Sequence, residues 1–102
     1  MFMIGDACRI CDILKEMYGQ KFGGKEKGRY RISRSNLRKL MVINRLYDRD
    51  VEMIRDEMFQ AGFTFLDHED YFVVIESRTV GNYRRVTKKM VKYHTEETVN
   101  ER

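Results

Sequence analysis

A helix that must stop at a glycine and pass at once into two short strands is the tightest constraint in this sequence. Residues 48–76 read DRDVEMIRDEMFQAGFTFLDHEDYFVVIE. Val51, Ile54, Met58 and Ala61 recur at helical spacing and form a core side, leaving Arg49, Glu52, Met53, Asp56 and Gln60 on the other. Asp48 or Asp50 is the expected cap, and Gly62 the expected stop. Phe63 and Phe65, then Tyr71, Val73 and Ile75, alternate as half-buried strands do, around a turn of Asp67, His68, Glu69 and Asp70. Helix and hairpin have to share one core, because a lone two-stranded hairpin is marginal in water.

The remaining segments add helices to that core. From Ile4 to about Tyr18, the residues Ile4, Ala7, Cys8, Cys11, Leu14 and Tyr18 fall on one helical face, widened by Ile10, Ile13 and Met17. So broad an apolar arc makes Ile10, Ile13 and Met17 candidate homodimer contacts. Cys8 and Cys11 form a CxxC. Zinc needs four ligands, and His68 and His94 are isolated and far off in sequence, so core cysteine is the expectation for both thiols.

Residues 19–29, GQKFGGKEKGR, are a glycine-rich basic loop. Gly19, Gly24 and Lys25 fit part of a phosphate-loop pattern. Glu26 stands where a magnesium-binding hydroxyl belongs and a helix precedes, so the match is coincidental. Tyr30 to Ile32 form a short strand. Ser33 or Ser35 caps a helix over about 34–44 that turns Leu37, Leu40 and Met41 inward and Arg34, Arg38, Lys39 and Arg45 outward. A last helix, from about Thr79 to His94, carries Val80, Tyr83, Val86, Met90 and Tyr93 toward the core. Arg84, Arg85, Lys88, Lys89 and Lys92 lie opposite.

At 102 residues there is material for one core. Residues 1–95 are expected to form a single domain and 96–102 a flexible acidic tail. The order helix, short strand, helix, helix, hairpin, helix resembles a winged helix-turn-helix domain over residues 4–94, an α+β fold that is mainly α. Residues 33–40, SRSNLRKL, are similar to helices of helix-turn-helix proteins. The resemblance implies a third helix in the DNA major groove and a hairpin wing on the backbone. Transferred to this chain, the readers are Arg49, Glu52, Met53, Asp56 and Gln60, with Asp67 to Asp70 at the wing tip.

Charge redirects that expectation. Residues 46–76 hold nine acids against two cations. Duplex DNA carries one negative charge per about 1.7 Å, so this segment is repelled. Residues 21–45 hold nine cations against one acid, and residues 77–95 hold six cations and no acid. The expected nucleic-acid contacts are therefore Lys25, Lys27, Arg29, Arg31, Arg34, Arg38 and Lys39, with Arg84, Arg85, Lys88, Lys89 and Lys92. The function expected is DNA binding by a regulator of transcription. The alternative is a protein-interaction module that docks a basic partner on Glu52, Asp56, Asp67, Glu69 and Asp70, or docks through its broad first helix.

No catalytic constellation suggests an enzyme, and no cofactor or metal is expected. No run approaches the roughly 18 apolar residues of a membrane helix. With neither a signal-peptide core nor a cysteine framework, a cytoplasmic or nucleoid-associated location is expected.

Overall fold

A computed structural model of the chain describes residues 2–100, with side chains as far as residue 96. It is α+β and mainly helical: α1 (Ile4–Tyr18), β1 (Tyr30–Ser33), α2 (Arg34–Met41), α3 (Asp48–Gln60), β2 (Phe63–His68), β3 (Tyr71–Glu76), α4 (Ser77–Gly81) and α5 (Lys88–Asn100). The three strands make one antiparallel sheet in the order β1-β3-β2. Tyr30 pairs with Val74, and Phe65 pairs with the same Val74 from the other side.

Local chemistry sets the helix ends. The Asp6 carboxylate accepts from the Met3 amide at 3.0 Å, and the Asp50 carboxylate accepts from the Tyr47 amide at 3.1 Å. Each satisfies a backbone donor at a helix start that the helix itself leaves unpaired. Asp50 therefore acts from the third position of α3 rather than as its first cap, and this explains a carboxylate only 3% exposed. Ser33 accepts from the Asn36 amide at 3.1 Å and starts α2 as expected. Val42 closes α2 in the left-handed region at φ 58°, uncommon for a β-branched residue. Gly62 takes φ +90° directly after α3 and turns the chain into β2.

The core lies between the three long helices of the body and one face of the sheet. Ala7, Ile10, Cys11 and Leu14 of α1 meet Leu37 and Met41 of α2, Val51, Ile54 and Met58 of α3, and Phe65, Phe72 and Val74 of the sheet. Phe65 and Phe72 stack at 4.8 Å between centroids. Burying each such side chain is worth about 1.5–3 kcal/mol.

Three expectations are corrected here. First, β3 turns Phe72 and Val74 to the core rather than Tyr71, Val73 and Ile75. A strand reading YFVVI has no polar residue to mark its faces, so pairing decides: Phe65 opposite Val74 brings that pair inward. Ile75 is buried on the outer face, where α4 packs against β2 and β3. The hairpin is also tighter than expected, with strands running to His68 and from Tyr71.

Second, most of the broad apolar arc of α1 packs into this chain's own core, while Ile4 and Cys8 stay exposed. Ile10 is fully buried, and Ile13 and Met17 pack half-buried against the same cluster. The arc is wide because α1 is covered from several sides: α3 and α2 pack on it, and Tyr18 meets Phe63 at 5.1 Å and Tyr30 at 6.4 Å. Ile10 is not available as a dimer contact.

Third, the single helix over 79–94 is two helices with an extended segment between them. α4 ends at Gly81, and Thr87 accepts from the Met90 amide at 3.2 Å to start α5. Every residue from Gly81 to Glu96 is exposed, Tyr83, Val86, Met90 and Tyr93 included. An apolar stripe at helical spacing shows that a helix has two faces; it does not show that the body covers one. α5 runs to Asn100, and residues 101–102 lie outside those described.

Candidate nucleic-acid interface

The glycine-rich loop is ordered. Phe22 and Lys25 exchange both backbone hydrogen bonds at 3.1 Å across Gly23 and Gly24, whose φ angles are +59° and +81°. Positive φ at both central residues is what a two-residue hairpin turn of this kind demands, and only glycine adopts it without strain. The Gly28 amide then donates to the Tyr18 carbonyl at 2.9 Å and ties the loop to the end of α1. Tyr30 anchors the other side, donating its hydroxyl to the Leu14 carbonyl at 2.6 Å. Burial raises the Tyr30 pKa above that of an ordinary tyrosine.

This small hairpin builds a concavity of about 420 Å³ walled by Phe22, Tyr30, Lys25, Lys27, Arg29 and Arg31. A second concavity, of about 370 Å³, shares Phe22, Tyr30 and Arg31 and continues to Asn36 and Lys39 on α2. Five of the seven cations expected in this block thus border two neighbouring concavities, Lys25, Lys27, Arg29 and Arg31 the first and Arg31 and Lys39 the second. The block's only acid, Glu26, pairs with Lys21 at 3.4 Å. Among the described residues, none pairs ionically with Lys25, Lys27, Arg29, Arg31 or Lys39.

The other two cations fare differently. Arg38 is half-buried on α2. Arg34 is turned away from the hollow and held at the β2–β3 turn. Its Nη2 donates to Asp67 at 2.6 Å, its Nε donates to the Glu69 carbonyl, and its guanidinium lies 4.6 Å above the Phe72 ring centroid. The Arg34 amide also donates to the Asp70 carbonyl at 3.0 Å. The charge of Arg34 is thus partly engaged within the molecule, at a side chain that remains 32% exposed.

The second basic block lines separate concavities. Arg84 and Arg85 sit in the extended segment beside Val86, Thr87 and Met90, while Lys88 and Lys92 lie along α5 with Val91. Lys92 pairs with Glu96 at 3.8 Å, a surface contact of small energy. Lys89 is exposed on the same helix.

On α3, Glu52, Arg55, Asp56 and Phe59 are all exposed, and Phe59 is 70% exposed. Their spacing places them on one stripe. The acids of the hairpin tip stand apart from this stripe: Asp67 is bound to Arg34, and Glu69 and Asp70 lend their carbonyls to the same residue.

The two cysteines split. Cys11 is buried, with its thiol 3.7 Å from the Ile54 carbonyl, whereas Cys8 is exposed and faces the Glu57 carboxylate at 3.6 Å. Cys8 therefore departs from the core position expected for both. Burial pushes the Cys11 pKa up to about 12, and desolvation followed by the Glu57 contact raises that of Cys8. Neither is an activated thiolate at neutral pH. Among the described residues, no group of three His, Cys, Asp or Glu side chains could hold a metal ion, and no helix is long and apolar enough to cross a membrane.

No protein-family model, curated protein or solved structure matches this chain. Sequence reasoning missed Phe22 and Tyr30 as walls of the basic hollow. The signal was present: Phe-Gly-Gly-Lys is an aromatic and a cation bracketing a two-residue turn.

Proposed function

We propose that this chain is a winged helix-turn-helix domain that binds nucleic acid through its basic loop, β1 and α2, joined by the cationic segment 84–92. Supporting the fold reading are the order of the first six elements and a three-stranded sheet with β1 beside β3. The β2–β3 hairpin is the wing. The third helix, acidic on its exposed face, is turned from the phosphates, and the protein acts by binding, as a regulator, rather than by catalysis.

The observation that carries the binding reading is the cluster of Lys25, Lys27, Arg29, Arg31 and Lys39 around two adjoining concavities, none with an ion-pair partner among the described residues. Each phosphate neutralised releases condensed counterions and adds about −0.9 to the slope of log affinity against log salt. Five such contacts, with a few from Arg84 to Lys92, give a slope of about −5 to −7. The test is a fluorescence-anisotropy titration of labelled duplex and single-stranded DNA at two salt concentrations. Lys25→Glu with Arg29→Glu should flatten the slope by about 2 units. Absence of binding to either form at low salt refutes the proposal.

A second reading rests on Phe59. An aromatic ring 70% exposed between Glu52, Arg55 and Asp56 has the composition of a protein-docking face for a basic partner. Duplex affinity that is unchanged in Glu52→Lys with Asp56→Lys keeps α3 away from nucleic acid and leaves this face to such a partner. Regulation through both faces would join the two readings in one molecule.

A further inference from the structure

The hollow beside β1 holds more than cations. Phe22 lies at the end of a hairpin fixed by two backbone hydrogen bonds, and it is 45% exposed. Its contact with Tyr30 is edge-to-face, at 5.5 Å between centroids and 75° between planes. In that geometry Tyr30 covers at most one face of the Phe22 ring, so another face is free of it. Phe22 also borders both concavities. A site that only gathers phosphates has no use for an exposed ring on its wall. Solvating that ring costs free energy, and a planar apolar surface recovers it.

From this juxtaposition we propose that the hollow is a binding site for an unpaired nucleotide: one base stacks on Phe22 while Lys25, Lys27, Arg29 and Arg31 hold the flanking phosphates. The inference rests on the nucleic-acid reading above and makes it narrower. In a duplex the faces of each base are covered by its neighbours, so a paired base cannot reach the ring; an unpaired one can. Base–aromatic stacking of this kind tolerates sequence and works alongside a cationic groove. The 420 Å³ hollow lies within the usual range of small-ligand sites, about 300–1,000 Å³, which suits one nucleotide unit. On α2, the exposed Asn36 stands at the second concavity, where its amide can meet a base edge.

The experiment uses the full chain and three labelled probes of equal length: single-stranded DNA, single-stranded RNA and the DNA duplex. Either single strand should bind about tenfold or more tighter than the duplex. Phe22→Ala should weaken single-strand binding about ten- to a hundredfold and leave duplex binding unchanged, with circular dichroism confirming the fold. The chain has no tryptophan, so Phe22→Trp adds a single reporter. Its fluorescence should be quenched by the single strands, through stacking, and not by inorganic polyphosphate.

Two results overturn the inference while leaving nucleic-acid binding in place. One is equal loss of single-strand and duplex affinity in Phe22→Ala. The other is an unquenched Phe22→Trp at saturating single strand. If no probe binds at all, the proposed function itself falls, and this site with it.

Discussion

Replacing Arg34 by alanine should cost stability rather than nucleic-acid affinity. The guanidinium makes three contacts at once: an ion pair to Asp67 at 2.6 Å, a hydrogen bond to the Glu69 carbonyl, and a stack on Phe72 at 4.6 Å. Arg34 and Asp67 side chains are 32% and 33% exposed, so solvent weakens the pair to about 1 kcal/mol or less. The ring contact adds about 0.5–1 kcal/mol, and the charged hydrogen bond, partly exposed, adds about 1.5 kcal/mol, the low end for a charged donor. These terms overlap, since one group makes all three, and a net loss of about 2 kcal/mol is reasonable. For a chain of this size that lowers Tm by about 10 °C.

The assay is thermal melting of Arg34→Ala, Asp67→Ala and the double variant, with Arg31→Ala as control. Arg31 is exposed, has no ion-pair partner among the described residues and lies 5.2 Å from the Tyr71 ring, so its loss should shift Tm little. The double-mutant cycle should give a coupling of about 1 kcal/mol between positions 34 and 67. In salt titrations with DNA, Arg31→Ala should lower the slope by about 1 and Arg34→Ala should leave it unchanged. An unaltered Tm in Arg34→Ala, together with a lower salt slope, would show the side chain free to meet phosphate and would refute the reasoning.

Alkaline pH should destabilise the protein through Cys11. Its pKa is raised from 9.0 to about 12, so the stability tied to the buried thiol is complete below pH 9 and is lost as pH climbs toward 12. Tyr30, also raised by burial, acts in the same direction. Urea midpoints should therefore fall above pH 9, and less steeply in Cys11→Ala; a flat profile refutes the assignment. Ending the chain after Asn82 should change stability by no more than about 0.5 kcal/mol, because each removed residue whose burial is described, Tyr83 to Glu96, is exposed. The same truncation should lower duplex affinity at low salt, and a urea midpoint that collapses would show that α5 supports the body.

How much was legible depended on whether the deciding contact was local. Ser33 as one of two candidate caps, Gly62 as a stop and the presence of a hairpin follow from short-range rules, although its turn shrinks from the expected Asp67 to Asp70 to Glu69 and Asp70 alone. The inward face of β3 did not follow, because an unbroken apolar strand takes its orientation from the strands beside it. Arg34 looked like an outward cation on α2 for a similar reason. Its partners, Asp67 and Phe72, are more than thirty residues away in sequence and meet it only once β1 pairs with β3. The basic hollow was half legible: its cations were counted from composition, while its aromatic walls depend on Phe22 folding back across Gly23 and Gly24. The apolar stripe over 79–94 misled in the opposite sense, since amphipathic spacing carries no information about which surface, if any, lies against it.

The projecting α5 has a practical consequence for hydrodynamics. The Cα radius of gyration is 17.9 Å, and the molecule extends 55 × 32 × 24 Å. A compact chain of about 100 residues has a radius near 13 Å. Elution from a sizing column follows dimensions rather than mass, so a single copy of this protein should emerge well ahead of compact 12.3 kDa standards. On such a column it would pass for a dimer. Light scattering, which weighs particles regardless of shape, is the measurement from which its stoichiometry should be taken.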